Sequence, residues 1–326
     1  MITWTDFHGR VHKTFRRRQL LPPSVAVLIA VSGGQDSLCL LRLLLDLQPK
    51  WQWQLAVAHC DHRWSGDAGL ADHVQAVVAT YGVPFFRLTA ATPVKETEAS
   101  ARSWRYQVLS ECCEENNYFY LVTGHTGSDR AETLLYNLIR GSGTDGLQAL
   151  TWQRPLTEKV TLVRPLLNFT RAETQQVCTQ FQLPIWEDLA NQNLAYARNR
   201  LRQQILPQIK AHLNPQVETT LAQTAEVLNA ETDYLNSLAT DLFTQAIVET
   251  SQPALARLPL QSAPLALQRR VMRLFWQQQF QQAPTFPQIE ELTALINAPN
   301  KTRTSSFPGN SYAEVKEKLI IWNHSK

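Results

Sequence analysis

The stretch Ser32-Gly33-Gly34-Gln35-Asp36-Ser37 follows an apolar, strand-favouring run from Ala26 to Val31 and opens an amphipathic stretch that continues to Leu47. Strand, glycine turn and helix in that order are the first half of a βαβ unit, which commits this part of the chain to a parallel sheet. The turn also carries chemistry. Backbone N–H groups beside two glycines, at the positive end of a helix, make a site for phosphate, and Ser32 and Ser37 add hydroxyl donors. Asp36 would repel that phosphate unless a cation lay between them, so Asp36 is read as a Mg2+ ligand. No Gly-Lys-Ser/Thr follows, and the Gly-x-Gly-x-x-Gly spacing of dinucleotide turns is absent.

Short apolar runs alternate with helical patterns as far as about Leu167. Strands are expected at Ala26 to Val31, Leu55 to His59, Pro84 to Leu88, Phe119 to Thr123 and Val160 to Arg164. Helices are expected at Ser37 to Leu47, Ala68 to Tyr81, Ala99 to Glu115 and Ser128 to Ile139. The fold class is therefore α/β, a doubly wound, Rossmann-like parallel sheet. Thr170-Arg-Ala-Glu173 reads as a capping box, and Arg198 to Leu213 as one helix closing the domain. Asn214-Pro215 marks a boundary, giving a first domain of residues 1–214 and a second of 215–326. The second reads as mainly helical, over Val217 to Ile247, Ala266 to Gln279 and Gln288 to Ile296. It ends in a small β-hairpin from Thr302 to Phe307, turning at Pro308-Gly-Asn310 into Tyr312 to Trp322.

Composition narrows the class. With 326 residues, 44% of them hydrophobic, the chain can bury two cores, and no apolar run is long enough to span a bilayer. The N-terminus lacks the apolar segment of a secretory signal, so a cytoplasmic location is expected. Cys39, Cys60, Cys112, Cys113 and Cys178 make an odd set with no C-x-x-C pair, which fits buried reduced thiols. A net charge of +3 implies no polyanion by itself. Two clusters say more: Arg16-Arg17-Arg18, and Arg198, Arg200 and Arg202 with Lys210, spaced so that several project from one helical surface.

S-G-G-x-D-S after a strand resembles the PP-loop of the N-type ATP pyrophosphatases, which cleave ATP between its α- and β-phosphates. Four further segments resemble the tRNA(Ile)-lysidine synthetase family in the family's order. They are His59-Cys-Asp61-His62-Arg63; Ala101-Arg102-Ser-Trp-Arg105-Tyr106; Gly124-His125 with Asp129, Glu132, Thr133 and Arg140-Gly-Ser-Gly143; and Glu187-Asp188, Asn191 with Arg198-Asn-Arg-Leu-Arg202. Thr126, Ser128 and Arg130 stand where that family often has His, Asp and Gln, leaving one acidic pair where a triad is common. The chain ends soon after its helical domain, whereas longer members carry another C-terminal domain.

The resemblance implies ATP and Mg2+ as cofactors, with free L-lysine and tRNA(Ile) bearing a CAU anticodon as partners; a homodimer is carried as a candidate assembly. The implied reaction adenylates C2 of the wobble cytidine, releases pyrophosphate, and lets the lysine amine displace AMP. It assigns catalysis to Asp36, Arg105, Asp129 and Glu132. ATP binding falls to Ser32, Gly33, Gly34, Gln35, Asp36, Ser37, His59, Asp61, Arg102, Gly124 and His125. Lysine binding falls to Asp129 and Glu132, three apart on one helix face. Arg198, Arg200 and Arg202 are the expected tRNA contacts, and Phe275, Trp276 and Phe280 read as core. Two other readings stand beside this one: a PP-loop tRNA thiolase, which would need a cysteine pair or cluster, and an RNA-binding module that has lost catalysis.

Overall fold

The computed structural model describes residues 4–186 and 193–324. Glu187, Asp188 and Asn191 lie outside the described residues. Contacts divide the chain into two compact units, Met1–Asn229 and Ala230–Lys326.

The first unit opens with α1 (Asp6–Arg18), a helix the strand-and-turn pattern does not announce. Then come β1 (Ala26–Ala30), α2 (Gln35–Trp51), β2 (Gln54–Asp61), α3 (Leu70–Ala79), β3 (Phe85–Thr89) and α4 (Glu98–Glu115). After β4 (Tyr120–Thr123) follow α5 (Gly127–Ile139), the single turn α6 (Thr144–Leu147), β5 (Gln153–Pro155), β6 (Thr161–Val163) and α7 (Arg171–Gln180). The five expected strands all form, in the order β3-β2-β1-β4-β6 and parallel throughout. β5 adds an antiparallel edge that is too short and polar to read as a strand.

The sheet is covered on both faces because β1 is apolar on both. Val27 and Ile29 pack with α1, α2, α3 and α7, through Phe15, Leu40, Leu44, Val78 and Val177. Leu28 turns the other way, onto Leu109, Cys112 and Cys113 of α4. The chain passes from β1 to one side of the sheet and reaches β4 on the other. This makes the carboxyl ends of β1 and β4 the switch point where ligands of such sheets collect.

Arg198 to Leu213 is not one α-helix. The chain forms α8 (Ala197–Arg200), a π-helical turn over Leu201–Ile205, and α9 (Leu206–His212). Arg198 and Arg200, two residues apart, cannot share a helix face, and the wider turn carries Arg202 to Glu132.

The helix α10 (Val217–Ala246) carries the division between the units, and the second unit continues with β7 (Ile247–Val248), β8 (Ala254–Ala256), α11 (Arg257–Gln261), α12 (Leu265–Gln277) and α13 (Phe286–Ala294). Its ending corrects the expected hairpin. The paired strands are β9 (Ser311–Lys316) and β10 (Leu319–His324), turning at Glu317-Lys318, in a four-stranded antiparallel sheet β7-β8-β10-β9. Pro308-Gly309-Asn310 forms a 3-10 turn, and residues 302–307 reach β9 only through isolated bridges. The hairpin turn escaped notice because Glu317 takes positive φ without being Gly or Asn. Phe275, Trp276, Phe307 and Trp322 form the core of this unit, and Phe280 packs against them.

Candidate active site

The loop after β1 is shaped by close approaches. Gly33 has φ +86°, and a Cβ there would come 2.7 Å from Leu70. At the end of β4, a Cβ on Gly124 would sit 2.7 Å from the Asp36 carbonyl oxygen, so glycine alone lets β4 meet the first turn of α2. Ser37 Oγ donates to the Gly34 carbonyl at 2.8 Å and accepts from Ser32 N at 3.2 Å, closing the loop on itself. Gln35 turns away from the loop, and its amide donates to Arg171 O at 2.8 Å and Thr174 Oγ1 at 2.9 Å, strapping α7 to the loop.

That strap delivers a residue the sequence pattern did not single out. The Arg171 guanidinium reaches all three acids expected to do the chemistry: Nε lies 3.2 Å from Asp36 Oδ2, Nη2 2.9 Å from Asp129 Oδ1, and Nη1 3.4 Å from Glu132 Oε1. Arg202 is in the same cluster, forked onto Glu132 at 2.7 and 2.8 Å. Glu132 is only 3% exposed, so both its oxygens are committed to guanidiniums. The signal for Arg171 was its position, first residue of the helix opened by the Thr170 capping box.

The charges respond to this packing. Burial and the neighbouring Asp129 raise the pKa of Asp36, against the pull of Arg171 and of the hydroxyl hydrogen bond from Thr174. Burial would raise Asp129 too, but Arg171, the Thr126 N–H and Arg202 hold it below the usual carboxylate range. Arg171 itself is raised, since three carboxylates outweigh its burial.

Opposite in sign is a group of arginines around Tyr106 and His125. Arg102 and Arg154 lie 5.0 and 5.2 Å from the Tyr106 ring. Arg164, 2% exposed, donates to Thr151 O at 2.7 Å. Burial first, then Arg164, Arg102 and Arg105, push His125 down to about 3, so this histidine is neutral; its Nδ1 pairs with Thr123 Oγ1 at 2.8 Å. Arg154 and Arg164 were not expected here, since they belong to no motif.

Not every expected residue joins the cluster. His59 is buried and bonded through Nδ1 to the Val31 carbonyl at 2.8 Å, bracing the base of the loop. Asp61 binds Arg87 at 3.0 Å and the Arg63 N–H at 3.0 Å. Arg198 pairs with Glu98 at 2.7 Å, and Arg200 donates to the carbonyls of Leu194 and Ala195. His62 stacks on Trp64 at 4.7 Å, and burial with Arg105 nearby lowers it to about 4.

The three departures from the family pattern each have a structural task. Thr126 caps α5, and its N–H and hydroxyl donate to Asp129 Oδ2 at 2.8 and 2.9 Å, which aims Oδ1 at Arg171. Ser128 donates to Glu218 at 2.5 Å and accepts from Arg171 N at 3.1 Å. Arg130 points away from the acids, onto Glu226 at 2.5 Å.

Comparison with known proteins places these observations. The PP-loop domain family matches residues 5–209, and the TilS substrate binding domain matches 255–311. The tRNA(Ile)-lysidine synthase of a Nostoc species is 54% identical over 98% of this chain and 97% of its own, and that of a Synechocystis species is 49% identical over 97% of each. The chloroplastic tRNA(Ile)-lysidine synthase of Zygnema circumcarinatum is 34% identical over 87% of this chain and 78% of its own. Among solved structures, the U34-tRNA thiolase NcsA of Methanococcus maripaludis has a TM-score of 0.57 at 20% identity, over 69% of this chain and 78% of that one, a likeness of fold alone. By identity and coverage together, the chain belongs to the tRNA(Ile)-lysidine synthase family.

Proposed function

We propose that the chain joins free L-lysine to C2 of the wobble cytidine of a CAU-anticodon tRNA(Ile), forming lysidine and releasing pyrophosphate and AMP. The observation that carries this reading is the meeting of Asp36, Asp129 and Glu132 on Arg171 at the switch point, beside a group of arginines.

The C2 oxygen of cytidine attacks the α-phosphorus of ATP, and pyrophosphate leaves. The lysine ε-amine then attacks C2, the C2–O bond breaks with AMP as leaving group, and the amine gives up a proton. The amides of Gly33 and Gly34 and the hydroxyls of Ser32 and Ser37 hold phosphate oxygens, with Arg102 and Arg105 neutralising charge that grows during adenylation. Gly124 and His125 wall the nucleotide site, while His59 and Asp61 hold its strand end in place. Gln35 contributes indirectly, by fixing α7.

Among the described residues no three His, Cys, Asp or Glu side chains gather as a metal cage. A Mg2+ here would be held by Asp36, with phosphate and water oxygens as is usual for this ion beside nucleotides, and would neutralise phosphate charge. Asp36 suits that ion, because burial has raised its pKa and a cation relieves the cost.

Asp129 locates the lysine ammonium and takes its proton, while Glu132 sets the charge around it by holding Arg171 and Arg202. A carboxylate held ionised at Asp129 is a good anchor for a cation. Arg202 orients Glu132, and Arg198 and Arg200 are left for RNA phosphates. The thiolase alternative loses ground at the cysteines. All five are free thiols, and burial pushes Cys60, Cys113 and Cys178 up to about 12 and Cys112 to about 11, which suits packing and not sulfur transfer.

Mixing the protein with ATP, labelled lysine and a tRNA(Ile) transcript bearing CAU tests the assignment. Lysine enters the RNA only when all three are present, and pyrophosphate release beyond a single turnover needs lysine, because adenylation itself precedes it. Absence of label in the RNA would overturn it, and repeated turnover of ATP to pyrophosphate without lysine would return the case to the thiolase class.

A further inference from the structure

The cluster Arg16-Arg17-Arg18 has no place in the chemistry above, and α1 carries more positive charge than its packing needs. One face of α1 is buried: Val11 and Phe15 enter the core, and His8 Nε2 meets Asp46 Oδ2 at 3.0 Å. Another face presents Arg10, Lys13 and Arg17 at the i, i+3, i+7 spacing of one helix stripe. A cleft of about 730 Å3 runs along that stripe, also lined by Arg18 of α1 and by Trp152 and Asn168, with Asp6 as its sole acid.

Two of the four cations are already held. Arg10 pairs with Glu173 at 2.8 Å and lies 3.8 Å over Phe169; Arg18 pairs with Glu226 at 2.7 Å and lies 4.1 Å over Trp152. Lys13 and Arg17 are exposed and have no partner among the described residues. Gly9, one turn before Lys13, costs the helix stability, yet a Cβ there would meet nothing within 4 Å. Its absence keeps the cleft floor open. A second cavity, of about 240 Å3, shares Arg18, Trp152 and Asn168 with the first and reaches Gly127 and Thr170, where α5 and α7 begin. Those helices hold Asp129, Glu132 and Arg171.

From this we infer that the α1 stripe of Arg10, Lys13 and Arg17 is a phosphate track for the tRNA backbone, apart from the reacting cytidine. The inference rests on tRNA being the substrate. Seven residues of helix span about 10 Å, on the order of three phosphates of one strand. Such contacts fix register without reading bases. An acidic protein segment fits less well, because the one large apolar side chain in the cleft, Trp152, is buried beneath Arg18.

The test is binding of the CAU-bearing tRNA(Ile) transcript across a KCl series, without ATP or lysine. Lys13→Gln with Arg17→Gln weakens binding at least about tenfold at low salt and reduces the slope of log K against log[KCl] by about 1 to 2. Lys13→Arg with Arg17→Lys restores both. Arg16→Gln, which removes one charge outside the cleft, leaves the slope unchanged. The track is overturned if the double variant binds as the parent does, or if Arg16→Gln costs as much per charge. Failure of lysine incorporation would leave these binding results untouched, so the two readings fail separately.

Discussion

Arg130 and Arg171 both bring a guanidinium to α5 and both meet carboxylates, but the balance of charge around them differs. Arg130 is 2% exposed, donates to Leu150 O at 2.6 Å and to Glu226 at 2.5 Å, and shares Glu226 with Arg18. Two cations there serve one acid, and burial pulls Arg130 below its ordinary pKa. Around Arg171, two guanidiniums serve three carboxylates, and Arg171 is raised instead. The first arrangement ties α5 to α10. The second is one cation short, which is costly in an empty site and useful in one that receives Mg2+ and an ammonium.

Asp36→Asn breaks the contrast hardest. Pyrophosphate release falls on the order of 10²-fold or more, as when a preorganised electrostatic contact is removed. The same variant gains stability, because ionised Asp36 carries a raised pKa in the fold and so costs folding energy above that pKa. Its melting temperature at neutral pH rises by a few degrees over the parent, and the gain disappears as pH falls and the parent Asp36 takes up its proton. A lower melting temperature at neutral pH would mean that Asp36 holds the structure together.

Glu132→Gln has a smaller effect on catalysis and tests the other end of the cluster. It keeps the shape and removes the charge facing Arg171 and Arg202, so kcat/KM for lysine drops about 10- to 100-fold while KM for ATP stays near that of the parent. Equal losses for both substrates would argue that Glu132 only positions α5.

Arg130→Met should have the mildest effect and a purely structural one. It leaves Glu226 with Arg18 and the Trp152 indole N–H and costs about 1–3 kcal/mol, read as a lower urea midpoint, with KM for ATP and lysine unchanged. A change in lysine KM would erase the distinction between the two arginines.

Much of this was legible from residues alone. The strands around β1 announced themselves by apolar runs that both faces bury, and Asp36, Asp129 and Glu132 by spacing and motif. Arg171 was not legible, since a single arginine at a helix start has no pattern until α7 is docked by Gln35. Arg202 was expected to face RNA because a regular helix would project it with Arg198, one turn away. The π-turn at Leu201–Ile205 sends it to Glu132 instead. The C-terminal hairpin was displaced for a similar reason, a left-handed residue with no glycine to mark it.

What the sequence determined by itself was local: where strands and helices form, which loop has the glycine turn and hydroxyls suited to phosphate, and which acids share a helix face. These follow from periodicities of two and 3.6 and from the donors a glycine turn frees. Only the tertiary structure decided how the charges pair, because a guanidinium on α7 finds its acids across 135 residues from Asp36 and 42 from Asp129, a distance no local pattern spans.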